Sequence, residues 1–168
     1  MSSTALVTGI SGFTGSYVAD ELHARGYEIH GAGRGSMQVE GVQSHQLDLL
    51  SSEQIRELIC LVRPNVVVHL AALAFVAHTD IADMYLSNVV GTRNLLQALH
   101  DSNCQPDKVL LASSANIYGN TDTGIISEEL PYNPQHDYAV SKCAMEMMAS
   151  LWRSKLPIIV SRPFNYTG

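Results

Sequence analysis

The order of apolar and polar positions divides the chain into strand-like and helix-like segments that alternate. Short segments, most of them continuous apolar runs, predict strands at 5–7, 27–32, 44–47, 66–70, 108–112 and 156–161. Apolar residues at helical spacing between them predict helices at 13–25, 52–62, 81–100 and 137–154. Strands that alternate with helices predict an α/β fold built on a doubly wound parallel sheet.

The first predicted strand leads directly into three glycines, Gly9, Gly12 and Gly15. Strand, glycine turn and helix in this order suit a dinucleotide, whose pyrophosphate lies at the N-terminus of the helix. Gly9 allows a tight turn, Gly12 lets the backbone approach the phosphates, and Gly15 lets the helix pack closely on the strand. The spacing G-x-x-G-x-x-G differs from the usual G-x-G-x-x-G, and taken alone it also fits an ordinary glycine-rich turn.

A second candidate for chemistry is the pair Tyr138 and Lys142, four residues apart and therefore on one face of a predicted helix. A nearby ammonium stabilises a phenolate, which makes a tyrosine a better proton-transfer group. Ser114, in the loop after the fifth predicted strand, is placed to hydrogen-bond the same reacting oxygen. Together they suit the interconversion of an alcohol and a ketone beside a nicotinamide. A Y-x-x-x-K pair alone also fits a surface helix.

The composition of the chain argues against several classes of partner and site. The 168 residues suit one domain, and 46% hydrophobic with 15% charged residues is typical of a globular protein. A net charge of −6 makes nucleic acid a poor partner. The three cysteines are far apart, so they indicate neither a disulfide framework nor a metal site. The sequence contains neither a membrane-length apolar run nor a leader pattern, and we expect a cytoplasmic protein.

The whole chain resembles the extended, nucleotide-sugar branch of the short-chain dehydrogenase/reductases, the NAD-dependent epimerase/dehydratase family. Seven motifs in family order carry the resemblance: Thr8-Gly9-x-x-Gly12-x-x-Gly15, Asp48-Leu49, His69-Leu70-Ala71-Ala72, Asn88-Val89-x-Gly91-Thr92, Ser113-Ser114-x-x-x-Tyr118-Gly119, Tyr138-x-x-x-Lys142 and Arg162-Pro163-Phe164-Asn165. The resemblance implies a Rossmann-type NAD(P)-binding domain over residues 1–168, with a C-terminal substrate domain absent from this chain.

The choice of cofactor depends on the end of the second predicted strand. NAD enzymes usually carry an acid there, which hydrogen-bonds the ribose 2′-hydroxyl. This chain has Gly33 followed by Arg34, and a guanidinium can bind a 2′-phosphate through two hydrogen bonds. We therefore expect NADP, with NAD as the alternative if Arg34 is only an exposed loop residue.

The resemblance assigns roles to individual residues. It implies that Ser114, Tyr138 and Lys142 are catalytic, with Tyr138 as the general acid/base. Together with the arguments on the glycines and Arg34, it gives this expected cofactor set: Gly9, Gly12, Phe13, Thr14, Gly15, Arg34, Asp48, Leu49, Leu70, Ala71, Ala72, Asn88, Tyr138, Lys142 and Pro163. The expected substrate contacts are Phe75, Ser114 and Asn165.

Within the branch the chain looks most like GDP-4-keto-6-deoxymannose reductases and GDP-mannose 4,6-dehydratases. Dehydratases carry an acid two residues after the catalytic hydroxyl, and Asn116 stands there. Leu73 also departs from the polar residue that is common in related reductases. Because Asn116 counts against a dehydratase, we expect a reductase of a GDP-linked 4-keto sugar. We expect the full-length protein to be a homodimer. The alternatives are a 4-epimerase and a dinucleotide-binding fragment without turnover.

Overall fold

The computed structural model describes residues 3–35, 39–74, 80–121 and 124–165. Six parallel strands form a sheet in the order β3-β2-β1-β4-β5-β6. The strands are β1 (Thr4–Thr8), β2 (Glu28–Gly33), β3 (Val42–Gln46), β4 (Val66–His69), β5 (Lys108–Ala112) and β6 (Ile158–Ser161). This arrangement confirms the predicted doubly wound sheet.

Within the described residues, five α-helices connect the strands: α1 (Phe13–Ala24), α2 (Ser52–Val62), α3 (Ile81–Tyr85), α4 (Thr92–Asp101) and α5 (Asp137–Ser150). A π-helical turn, Leu86–Gly91, joins α3 to α4, and a 3₁₀ turn, Ala115–Tyr118, follows β5. Ser51 caps α2 by accepting a hydrogen bond from the backbone N–H of Gln54 at 3.4 Å. This cap explains why α2 begins where the sequence predicted.

The structure differs from the sequence prediction mainly within and at the ends of two helices. The helix predicted at 81–100 is interrupted by the π turn, which widens the backbone around Asn88. The helix predicted to end at 154 ends at Ser150 and continues as turns, in which Trp152 N–H bonds Ala149 O at 3.0 Å. Strand boundaries shift by one or two residues, because side-chain pattern locates a strand better than its ends.

The two faces of the sheet carry separate hydrophobic clusters. Helices α2, α4 and α5 cover one face, where Leu6, Val67 and Leu111 are buried. Helix α1 packs on the opposite face over β1, β2 and β4. Among the described helices only α1 covers that face, so Leu110 is half-buried and Ile159 is 45% exposed. The prediction that 108–112 is a buried strand therefore holds fully for one face only.

The strand order reverses between β1 and β4, which are neighbours in the sheet. Connections leave these two strands toward opposite faces, so a crevice opens between them at their carboxyl ends. Ligands of open α/β sheets bind in such a crevice. The helices that the structure describes include none long and apolar enough to cross a membrane.

A chain of buried hydrogen bonds fixes the two sides of this crevice. The Nδ1 atom of His69 lies 2.7 Å from Thr8 Oγ1, and its Nε2 atom lies 2.9 Å from Thr92 Oγ1. The hydroxyl of Thr92 donates its proton to Asn88 O at 2.7 Å, so it must accept from His69 Nε2–H. Thr8 Oγ1 then donates to Nδ1 and accepts from Ala71 N–H at 3.3 Å.

This arrangement requires a neutral imidazole with one defined tautomer. His69 is 3% exposed, and burial, aided by the charge of Lys142, lowers the pKa of His69 to about 3. The ring therefore links β1, β4 and the start of α4 without placing a charge in the core. The hydrogen bonds of His69 therefore help to fix the positions of β1 and β4, the two walls of the crevice, relative to each other.

Replacing Thr92 by valine should reduce the free energy of unfolding by about 1–3 kcal/mol, because His69 Nε2–H would be buried without an acceptor. Valine keeps the shape of threonine, so packing should change little. Urea unfolding measures the loss, with Thr92→Ser as a control that retains the hydroxyl. Equal losses in the two variants would show that the hydrogen bond contributes little.

The neutral His69 should also make stability depend on pH. The ordinary pKa of histidine is 6.5, and the pKa of His69 in the fold is about 3, so only the unfolded chain takes up this proton between these values. Stability is then complete above pH 6.5 and falls by about 1.4 kcal/mol per pH unit as the pH decreases toward 3. Denaturant unfolding across this range should give a smaller slope in His69→Gln. Identical slopes would contradict this assignment.

Candidate active site

The glycine turn brings the backbone of α1 close to the ends of β1 and β4. Gly9 has a φ of +73°, and a Cβ atom there would lie 2.6 Å from Ala71 N. A Cβ atom on Gly15 would collide with the carbonyl group of Ile10. Gly12 is the N-cap of α1 and contributes no capping side chain of its own. This tight cradle at a helix N-terminus fits the pyrophosphate of a dinucleotide.

A cavity of about 430 Å³ begins at the glycine turn and extends over β2 and β3. The predicted cofactor residues that line it are Gly9, Gly12, Arg34, Asp48, Leu49, Leu70, Ala71 and Ala72. Gln46 Nε2 donates to Arg34 O at 3.3 Å, which fixes the backbone from which the exposed guanidinium extends. Asp48 accepts a hydrogen bond from Leu50 N–H at 2.9 Å. The cavity has the position expected for the adenosine half of a dinucleotide.

A second cavity, of about 580 Å³, lies on the other side of the glycine turn and reaches α5. The predicted residues that line it include Phe13, Thr14, Gly15, Tyr138, Lys142 and Pro163. Val68 and Leu110 form part of its apolar floor. The two cavities share Gly9 and Gly12, so one extended ligand can occupy both across the turn.

A third cavity, of about 540 Å³, adjoins the second at Tyr138 and Pro163. Ser114 and Asn165, both predicted to contact substrate, also line it, as does Asn116. Phe75, the other predicted substrate residue, lies outside the described residues. The catalytic tyrosine expected from the sequence thus stands between a space suited to a cofactor and a space suited to a substrate.

Lys142 is buried beside Tyr138 at the carboxyl end of β5. Its Nζ atom donates to Ala112 O at 2.7 Å and lies 5.7 Å from the centre of the Tyr138 ring. Burial lowers the pKa of Lys142 to about 8, although the charge of Glu146 raises it in part. At neutral pH the side chain remains mostly an ammonium, close enough to stabilise negative charge on the phenol.

Ser114 is held in place by the first turn after β5. Its Oγ atom accepts a hydrogen bond from Asn116 N–H at 3.2 Å, and its carbonyl accepts from Ile117 N–H at 3.3 Å. Ala115 N–H bonds Pro163 O at 2.9 Å, which ties this turn to the segment after β6. The hydroxyl of Ser114 therefore keeps a fixed position in the wall that it shares with Tyr138.

Asn88 lies behind the cavities rather than in their walls. It is 1% exposed, and its side chain pairs with the backbone of Leu73, accepting at 2.8 Å and donating at 3.0 Å. Its amide also donates to Ser141 Oγ at 3.0 Å. Asn88 is not among the residues that line the three cavities described, and its direct contact with a cofactor stays a prediction. It supports the loop after β4 and the helix that carries Tyr138.

A polar cluster that the sequence did not predict lies next to α5. Arg162 and Glu146 form an ion pair at 2.7 Å, and Tyr132 and Tyr118 hydrogen-bond to it. In the sequence Arg162 stands out only as part of the Arg162-Pro163-Phe164-Asn165 motif. Glu146 could have been found from its spacing, since it follows Lys142 by one helical turn in an otherwise apolar stretch.

The model of the NAD-dependent epimerase/dehydratase family matches residues 5–168. The chain is 36% identical to a GDP-6-deoxy-D-talose 4-dehydrogenase from Aggregatibacter actinomycetemcomitans, over 97% of this chain and 53% of that protein. It is 33% identical to a GDP-6-deoxy-D-mannose reductase from Pseudomonas aeruginosa, over 100% of this chain and 54% of that protein. The chain thus spans about half the length of these relatives.

Two solved structures resemble this chain along nearly its whole length. A crystal structure of a candidate epimerase from Burkholderia cenocepacia J2315 has a TM-score of 0.92 and 46% identity, covering 99% of this chain and 55% of that one. UDP-glucose 4-epimerase from Brucella ovis, in complex with NAD, has a TM-score of 0.88 and 29% identity, covering 98% and 52%. With the motifs, the sheet order and the cavities in agreement, the chain belongs to the NAD-dependent epimerase/dehydratase family.

Proposed function

We propose that this protein is an NADP-dependent oxidoreductase that reduces the 4-keto group of a 6-deoxy GDP-sugar. The observation that carries the proposal is Tyr138, which lines both the cofactor-sized and the substrate-sized cavity, with Lys142 beside it. The names of the two relatives with GDP-6-deoxy sugars support the substrate class. Since the chain spans about half their length, the proposal concerns the activity of the whole protein.

In this scheme the side chains of the protein carry out a proton transfer. When bound, the nicotinamide supplies the hydride for the carbonyl carbon of the sugar. Tyr138 donates its hydroxyl proton to the carbonyl oxygen, and Ser114 hydrogen-bonds the same oxygen as negative charge develops there. The ammonium of Lys142 stabilises the phenolate that Tyr138 becomes. Ala112 O fixes Lys142 Nζ at 2.7 Å, so the charge is oriented before the reaction begins.

Asn116 argues against a dehydratase. It lines the substrate-sized cavity with Ser114 and Tyr138, and it occupies the place where dehydratases resembling this chain carry an acid. A carboxamide neither donates a proton as an acid nor accepts one as a base at neutral pH. Elimination of water would therefore lack its acid here, whereas reduction of a carbonyl needs no acid at the position of Asn116.

A nucleotide-sugar 4-epimerase is the second candidate, supported by the likeness to UDP-glucose 4-epimerases. Those structures are named as complexes with NAD. Arg34 favours the reductase with NADP instead, since it lines the adenosine cavity next to Gly33 and no carboxylate ends β2. Binding without turnover is the third possibility, and an assay of the whole protein separates it from both.

A homodimer and a cytoplasmic location stay predictions. The apolar side chains Val140, Met147 and Leu151 are 38%, 63% and 74% exposed. They follow one another at helical spacing along the outer side of α5 and the turn after it, and a second copy of the chain would cover them. This stripe supports the homodimer.

Replacing Tyr138 by phenylalanine should lower turnover of GDP-4-keto-6-deoxymannose by about 10²–10⁴-fold, because it removes the proton donor. Affinity for NADPH should change little, since only a hydroxyl is lost. Loss of NADPH absorbance measures turnover, with Tyr27→Phe as a matched change just before β2, at the amino-terminal edge of the sheet. Full turnover by Tyr138→Phe would remove this residue from the mechanism.

Replacing Arg34 by alanine should weaken NADPH binding by about 10- to 100-fold, the value of a lost hydrogen bond to a charged group. Binding of NADH should be nearly unchanged, because NADH has no 2′-phosphate. Fluorescence titration of both cofactors measures the difference, with Arg25→Ala as a control at the end of α1. Tighter binding of NADH than NADPH by the unmodified protein would contradict the choice of NADP.

A further inference from the structure

Glu146 lies between two cations that could each pair with it. Lys142 precedes it by four residues on α5, a spacing at which side chains on one helix face interact. Arg162 follows β6 and reaches the same carboxylate from the sheet. The hydrogen bonds to Glu146 come from Arg162 Nη2 at 2.7 Å, from Arg162 Nε at 3.1 Å and from Tyr132 OH at 2.9 Å.

The guanidinium of Arg162 is held firmly in this position. It donates to Tyr118 OH at 2.7 Å and to Glu128 O at 3.1 Å. The rings of Tyr118 and Tyr132 each have their centres 5.4 Å from its central carbon. The side chain of Arg162 is 18% exposed and that of Glu146 is 5% exposed, so water screens the pair only weakly.

Glu146 is therefore a fixed, charged carboxylate. Burial alone would raise the pKa of Glu146, but the hydrogen bonds from Arg162 and Tyr132 outweigh burial and lower it. The hydrogen bond to Glu146 in turn raises the pKa of Arg162. The carboxylate thus keeps its charge at neutral pH and finds its partner in Arg162.

Lys142 remains available for the active site as a result. Its Nζ atom bonds Ala112 O at 2.7 Å, and the titratable groups around it are Tyr138 and Glu146 on α5 and the neutral His69 on β4. We propose that Arg162 is a positioning residue that withholds Glu146 from Lys142, so that the ammonium serves Tyr138 and the cofactor. The role given to Lys142 rests on the proposed function.

A purely structural role for Arg162 makes a different prediction. Arg162 also joins β6 to the segment around Tyr118 and Glu128, and its loss would loosen that segment whatever Glu146 does. Under this alternative, removal of the Glu146 charge cannot repair the loss. Under our proposal it can, because Glu146 becomes harmful only when it is free to pair with Lys142.

The test compares Arg162→Met, Glu146→Gln and the double variant. The first measurement is the pKa of the Lys142 ammonium, obtained by NMR titration of its side-chain ε-carbon. Lys142 is one of three lysines in the sequence, and Lys142→Arg assigns its signal. The second measurement is the dissociation constant of NADPH, and the third is the thermal midpoint of unfolding.

In Arg162→Met we expect the pKa of Lys142 to rise by about one unit or more, because an unneutralised carboxylate then favours the ammonium. NADPH should bind about tenfold more weakly, the value of one hydrogen bond to a charged group. In the double variant both quantities should return close to those of the unmodified protein, even if the thermal midpoint stays low. Failure of this recovery would overturn the proposal.

If Arg162→Met does not fold, the single variant Glu146→Gln still tests the proposal. Loss of the negative charge should lower the pKa of Lys142, the opposite direction to Arg162→Met. NADPH affinity, measured where Lys142 is still an ammonium, should stay close to that of the unmodified protein, because Lys142 does not use Glu146; binding weakened about tenfold would contradict the proposal. These titrations need no turnover, so an absence of activity on nucleotide-sugars would refute the proposed function without deciding the role of Arg162.

Discussion

The hydrogen bond from Lys142 to Ala112 O is the interaction on which the rest of the site depends. It ties α5 to the carboxyl end of β5 and places an ammonium where the side chain is 4% exposed. A buried charge is costly unless its surroundings compensate for it. The surroundings do so through the carbonyl and the ring of Tyr138, and the charge of Glu146 raises the pKa of Lys142 in part although its hydrogen bonds are with Arg162 and Tyr132.

This buried charge also explains the polar groups around it. The charge of Lys142 contributes to keeping His69 neutral, and a neutral His69 can then donate to Thr92 and accept from Thr8 with one tautomer. Asn88 continues the network to the loop after β4 and to Ser141 on the catalytic helix. The position of α5 is thus coupled to the ends of β1 and β4 through His69, Thr92 and Asn88, none of which is among the residues that line the three cavities described.

The second constraint on the site is the close approach of backbone segments at the glycine turn. It acts together with the buried hydrogen bonds around His69. Gly9 and Gly15 leave no room for a side chain between α1, β1 and the loop after β4. The helix N-terminus therefore stands at the reversal of strand order, where a pyrophosphate can meet backbone N–H groups. The cavity lined by Arg34 and Asp48 opens on one side of this point and the cavity with Tyr138 and Lys142 on the other.

The sequence alone determined the fold class and most element positions, and most of the residues that it proposes for a site line the three cavities described. Local signals sufficed for this, because apolar runs, the glycine spacing and the Ser51 cap act over a few residues. The tertiary structure decided which polar side chains pair. Glu146 could bond Lys142 or Arg162 equally well on the basis of sequence, and only packing brings Arg162 and Tyr132 to it. The π turn at Asn88 and the tautomer of His69 likewise follow from contacts between residues far apart in the chain.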